Sequence, residues 1–260
     1  NTKTTNKKNF PVLPMRIFEL PWTVFMEMCA EFVEKLEQFT VHRRFEDDAK
    51  VMDRIFQSGR QNTEGGVSMV AFQACDAVFS FCHVNGVFGA DTRPFMVEGH
   101  DNRGSRVDFI VRTGEPEQSN VREPDGVIVG EVKLSKLYVE NFVDRLCNFD
   151  NQCKDHASSS SECERASDRS IIRQVYSYMH LRRCHFGLLT TARRWFAFIR
   201  DCKGNLAVTP CLSFDSTAPF TVPQFLVLYY MLAREKRVPT IPQKFLKENG
   251  YEWDTECTDH

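Results

Sequence analysis

Asp108, in the run RVDFIV, and Glu131 with Lys133, in the run VIVGEVK, are the residues whose types and spacing could do chemistry; Glu131 stands 23 positions after Asp108. Glu131 and Lys133 are two apart, and residues i and i+2 of an extended strand project to the same face. A carboxylate and an ammonium therefore share one place at the end of an apolar strand. The stretch 113–126 is rich in Gly, Pro, Asn and Glu, so the two runs read as an antiparallel pair joined by a polar loop. Such a pair brings Asp108 beside Glu131. Two carboxylates and a lysine on neighbouring strands suit a hard divalent cation and the water it activates. An ordinary solvated hairpin carries acid-x-Lys as well, so the two readings are separated by what surrounds the motif.

The elements that must position these residues follow from periodicity. Residues 21–39 read as an amphipathic helix, with Phe25, Phe32 and Leu36 on one side and Glu27, Glu31 and Glu34 on the other. Residues 45–60 are of mixed charge and read as a second short helix. Residues 67–83 are apolar almost all round, which marks a buried helix, and Thr63-Glu64 stands at its start. Strands are expected over 94–98, 106–112 and 127–135, and a helix over 137–149. Residues 150–168 contain four consecutive serines and read as an exposed loop or disordered insertion. A helix over 169–183 comes next, then strands over 185–191, 195–200 and 206–214. Thr221 with Gln224 three residues on, and Pro223 in the first turn, starts a last apolar helix.

The central order of helix, three strands, helix and strand predicts an α/β fold with a mixed sheet. Residues 1–62 are expected to form an arm and a helical appendage, 63–237 the main domain, and 238–260 a loosely packed tail.

Two further features bear on the candidate site. Gln174 and Tyr178 are four apart in the 169–183 helix and so share a face. From Arg165 to Arg200 eight arginines meet a single acid, Asp168, although the whole chain has a formal net charge of −2. Arginine forks suit phosphate, which nominates Arg173, Arg182, Arg183, Arg193 and Arg194 as contacts to a nucleic-acid backbone.

Asp108 followed by Glu131-Val132-Lys133 resembles the D…(D/E)-x-K signature of the PD-(D/E)xK, or restriction-endonuclease-like, nucleases. The element order is similar to the αβββαβ core of that superfamily. Gln174 and Tyr178 resemble the Q-x-x-x-Y motif of its RecB-type and phage-exonuclease-type members. The segments 173–179, 187–191 and 195–200 are similar to nuclease-like domains of fungal and oomycete Crinkler-type effectors.

Carried over residue by residue, the resemblance implies a metal-dependent deoxyribonuclease. Asp108, Glu131 and the carbonyl of Val132 would bind Mg²⁺ or Mn²⁺. Lys133 would position and polarise the attacking water, and Gln174 and Tyr178 would orient the site. Family members add a glutamate from the first core helix, for which Glu64 is the choice and Asp76 and Glu98 are rivals. The same likeness implies an effector acting on DNA in a host nucleus, with the N-terminal helices as the contact for a protein partner. RNA is the alternative substrate, and the oligomeric state is left open. The rival functions on this fold are a catalytically inactive nucleic-acid-binding module and a protein-interaction effector domain.

Composition narrows the remaining classes. No apolar run approaches the ~20 residues of a membrane span, so no membrane partner is expected. Cys29, Cys75 and Cys82 fall inside apolar helical patterns, where a reduced thiol behaves as a small hydrophobe; an intracellular compartment fits that use. Cys147, Cys153, His156 and Cys163 have a metal-like spacing but no C-x-x-C knuckle, and are read as coincidence. Gly65-Gly66 is isolated, so nothing suggests a kinase or dinucleotide fold.

Overall fold

The computed structural model describes residues 13–38, 64–84, 86–88, 94–100, 106–113, 126–133, 142–147, 161–236 and 238–257. The second short helix expected over 45–60 lies outside these residues. A mixed sheet carries the molecule, in the order β1-β7-β6-β5-β4-β3-β2, with β8 also paired to β6. Its strands are β1 (Arg16–Glu19), β2 (Pro94–His100), β3 (Arg106–Thr113), β4 (Gly126–Val132), β5 (Phe186–Thr190), β6 (Arg194–Arg200), β7 (Asn205–Val208) and β8 (Leu212–Ser213). The pairs β1–β7 and β4–β5 are parallel, and the others are antiparallel. The α/β class and the mixed sheet agree with the sequence.

Seven helices lie among the described residues: α1 (Trp22–Met28), α2 (Ala30–Gln38), α3 (Glu64–Val84), α4 (Phe142–Cys147), α5 (Ser161–Leu181), α6 (Val222–Glu235) and α7 (Gln243–Asn249). Helix α6 starts as its sequence predicts. The Thr221 side chain accepts from the Gln224 backbone amide while Gln224 reaches back to the Thr221 amide, and Pro223 occupies the first turn. From α6 the Tyr229 hydroxyl reaches the sheet, accepting from Gly187 N at 3.0 Å and facing Phe198 O at 2.9 Å. A fully buried phenol is thereby satisfied.

Several expectations need correction. The helix read over 21–39 is two helices, α1 and α2, separated at Cys29. Residues 16–38 are no appendage: β1 extends the sheet, and Phe18, Phe25 and Phe32 belong to the common core. Phe25 packs edge-on against Phe220 and meets Phe225 and Tyr229 of α6. The serine-rich stretch is helical from Ser161 onward, and 148–160 lie outside the described residues. The strand read over 206–214 splits into β7 and β8 around Pro210, whose ring nitrogen has no hydrogen to give a ladder.

Residues 238–257 are also more ordered than a loose tail. They hold α7, and beyond it Tyr251 stacks on Phe18 and Trp253 donates to Pro239 O at 2.7 Å. Among the described residues no helix is long and apolar enough to cross a membrane.

Candidate active site

Register places the two acids. Phe109 pairs with Gly130 and Ile110 with Val129 in the antiparallel β3–β4 ladder. The next step of that ladder sets Asp108 opposite Glu131. Side chains alternate, so Phe109 shares one face with Gly130, and Asp108 shares the other with Glu131. The Phe109 ring lies across Gly130, where an added Cβ would collide with it. That contact explains the glycine inside VIVGEVK.

Helix α5 covers the acidic face. Gly187 of β5 pairs with Val129, and a Cβ at Gly187 would stand 2.8 Å from Met179 Sδ and 3.3 Å from Val175 Cγ1. The absence of a side chain lets α5 lie close over β4 and β5. Gln174 and Tyr178 of the same helix are thereby carried to Glu131.

The resulting cluster is compact. Val132 N donates to Asp108 Oδ2 at 2.7 Å, and Lys133 Nζ donates to Glu131 Oε1. Glu131 is 1% exposed and the Lys133 side chain 12%, so this ion pair is largely withdrawn from water. A buried carboxylate needs such compensation. Lys133 N donates to Thr190 O at 2.9 Å, which ties the strand end to β5. Gln174 Nε2 donates to the Tyr178 hydroxyl at 3.0 Å. Burial pushes the Tyr178 phenol well above the usual tyrosine range, and the charges of Glu131 and Asp108 push the same way, against the Gln174 hydrogen bond. All five residues read from the sequence as catalytic thus meet in one place. Asp108, Glu131 and the Val132 carbonyl are hard oxygen donors of the type Mg²⁺ and Mn²⁺ take.

The remaining candidates are distributed unevenly. Glu64 opens α3 and Glu98 lies in β2, but both side chains are outside the described residues; Asp76 is exposed on α3. Arg173 is half-buried beside Gln174. Arg193 is exposed and Arg194 half-buried, and both follow the end of β5 that pairs with Val132. Arg182 and Arg183 follow the end of α5, one turn past Tyr178, and precede the opposite end of β5. Arg200 is buried with Nε donating to Cys184 O at 2.8 Å, which removes it from the basic face.

Sequence reasoning missed Thr190 and Thr191. Thr190 Oγ1 accepts from Ala192 N at 2.8 Å and donates to Arg194 O at 3.0 Å, while Thr191 Oγ1 accepts from Arg194 N at 3.2 Å. These bonds shape the turn that presents Arg193. The Thr-Thr pair following an apolar strand was the available signal, since hydroxyls there commonly bond nearby backbone. No family model, no curated protein and no solved structure matches this chain.

Proposed function

We propose that this chain is a metal-dependent nuclease that hydrolyses DNA phosphodiester bonds, on a restriction-endonuclease-like core. The observation that carries the reading is the convergence of Asp108, Glu131 and Lys133 beneath Gln174 and Tyr178. The order α3, β2, β3, β4, α4, α5, β5, with β4 and β5 parallel, supports the core, α4 being a short helix added before α5. The cluster also stands at the carboxyl ends of two adjacent parallel strands, where open α/β sheets bind ligands.

In this reading Asp108, Glu131 and the Val132 carbonyl would hold Mg²⁺ or Mn²⁺. The bound ion supplies Lewis-acid polarisation and a more acidic water. Lys133 brings a positive charge to the strand end, where negative charge develops on the phosphate in the transition state. Tyr178 stays a neutral phenol and, with Gln174, fixes the polar wall above the carboxylates. Arg193 and Arg194 contact the DNA backbone on the same side, and Arg173 extends that contact along α5.

The test is cleavage of plasmid and linear DNA in Mg²⁺ or Mn²⁺ by the wild type, Asp108→Asn and Lys133→Gln, with circular dichroism to check folding. Metal-dependent cutting that both substitutions abolish supports the nuclease. If the folded wild type cuts no more than the variants, the enzyme reading fails for these substrates. Salt-sensitive DNA binding in that case marks a binding module, because phosphate contacts release counterions.

A further inference from the structure

We infer that His185, Cys202 and Cys257 form a second metal site, one that takes a thiolate-preferring divalent cation, zinc above all, and fastens the C-terminal segment to the sheet. This site is separate from the carboxylate cluster and independent of the nuclease reading. Its donors are soft, whereas Asp108 and Glu131 are hard.

The geometry comes first. One ligand atom from each of His185, Cys202 and Cys257 lies within 4.8 Å of the others. His185 Nε2 stands 3.6 Å from Cys257 Sγ. In tetrahedral zinc sites, with Zn–S of ~2.3 Å and Zn–N of ~2.0 Å, neighbouring sulfur and nitrogen corners are about 3.5 Å apart. The separation of His185 Nε2 from Cys257 Sγ matches that edge in length, and the two sulfurs, bonded to each other here, part once reduced.

The histidine is also set for the task. His185 Nδ1 lies 2.9 Å from Arg200 O. A carbonyl oxygen only accepts, so Nδ1 carries the hydrogen and Nε2 keeps its lone pair toward the sulfurs. Metal-binding histidines are held in this way, with the distant ring nitrogen donating to a backbone carbonyl.

The backbone around the cysteines is organised by bonds that do not involve sulfur. Asp201 Oδ1 accepts from Gly204 N and Asn205 N, each at 2.7 Å, which folds the turn carrying Cys202. Asp254 N donates to Asp201 Oδ2 at 3.1 Å, and Cys202 N donates to Asp254 O at 3.1 Å. Asn205 Nδ2 donates to Glu252 O at 3.2 Å. The segment bearing Cys257 is thus already docked against the turn.

Cys202 and Cys257, 55 residues apart, are joined as a disulfide in this structure. Metal binding uses their reduced form. A dithiol reductant gives two electrons and two protons to the S–S bond, becomes a disulfide itself and leaves two thiols. Zinc then displaces both thiol protons and takes the two thiolates with His185 Nε2. Water or a fourth side chain completes the tetrahedron.

The experiment uses the full chain, reduced with a dithiol, freed of reductant without oxygen and titrated with Zn²⁺ alone. About one zinc per chain is expected. Bound zinc should block alkylation of Cys202 and Cys257 while the exposed Cys211 still reacts. Substituting Co²⁺ should give a thiolate-to-cobalt charge-transfer band. Cys202→Ser/Cys257→Ser should lose zinc and the band, and His185→Gln should weaken binding roughly tenfold or more, in the range that removing a metal-site hydrogen bond alone reaches. Circular dichroism of each variant identifies one that has failed to fold, and the alkylation result on the wild type needs no variant. The inference is overturned if the reduced wild type takes up no zinc, if zinc leaves both cysteines reactive, or if the double variant binds it equally well.

Discussion

The Val132 backbone amide donates to Asp108 Oδ2 at 2.7 Å across the β3–β4 pair. Asp108 therefore has two jobs on one carboxylate: it closes the ladder beyond its last strand pair, and it faces Glu131. Asp108→Ala removes the acceptor from a part-buried amide and should cost about 1–3 kcal/mol. Asp108→Asn keeps an acceptor oxygen and should cost less than about 1 kcal/mol while abolishing metal-dependent cleavage. Urea unfolding of the two variants beside the DNA-cleavage assay separates the structural role from the chemical one.

The Lys133–Glu131 pair predicts a non-additive result. Glu131 is buried and Lys133 supplies its ammonium partner. Lys133→Met should destabilise the chain by about 3 kcal/mol, because the buried Glu131 loses the ammonium that compensates it. Lys133→Met with Glu131→Gln removes both charges and should recover most of that loss. A double-mutant cycle by chemical denaturation measures the coupling, and simple additivity of the two single changes would refute it.

Glycine at 130 should be close to obligatory. Gly130→Ala drives a methyl group into the Phe109 ring and should cost about 1–3 kcal/mol. Phe109→Leu in the same chain clears that space, so the double variant should be more stable than the sum of the two losses. Thermal unfolding of the four proteins decides the matter.

Four tyrosines, Tyr176, Tyr178, Tyr229 and Tyr230, have phenols raised above the usual range, burial being the largest cause in each. The folded state holds these protons more tightly than the unfolded chain. Their contribution is fully present below about pH 10, where unfolded tyrosines are neutral, and is lost as pH rises through the folded values. Urea midpoints should therefore fall steeply above about pH 10. Tyr178→Phe should make that fall shallower, and an unchanged slope would count against the buried, neutral phenol.

Much of the site was legible before the fold was known. The period of two placed Glu131 with Lys133, and the polar stretch after β3 implied the antiparallel pair that brings in Asp108. A spacing of four put Gln174 and Tyr178 together. These are local patterns, and local patterns survive in sequence. The missed features are long-range. Strand β1 has four residues and exists because it pairs with β7, about 190 positions later. The division of 16–38 from the main body failed for the same reason, since Phe25 finds its partners on α6. His185, Cys202 and Cys257 have no shared spacing at all, and only the docking of the C-terminal segment assembles them. Arg182 and Arg183 looked like neighbours of Arg193 and Arg194, but a strand of five residues lies between the pairs and carries them to opposite ends.

Because Phe109 and Gly130 fill one face while Asp108 and Glu131 occupy the other, β3 and β4 admit a single alignment. Slipping either strand by one residue would turn the acids into the core and the aromatic ring into the site. Insertions and deletions within either strand should thus be lost from any lineage that keeps the site, whereas the length of the polar stretch between the strands does not enter that alternation. The number of residues from Asp108 to Glu131 is then a poor marker of kinship, and the alternation on either side of each acid is a durable one.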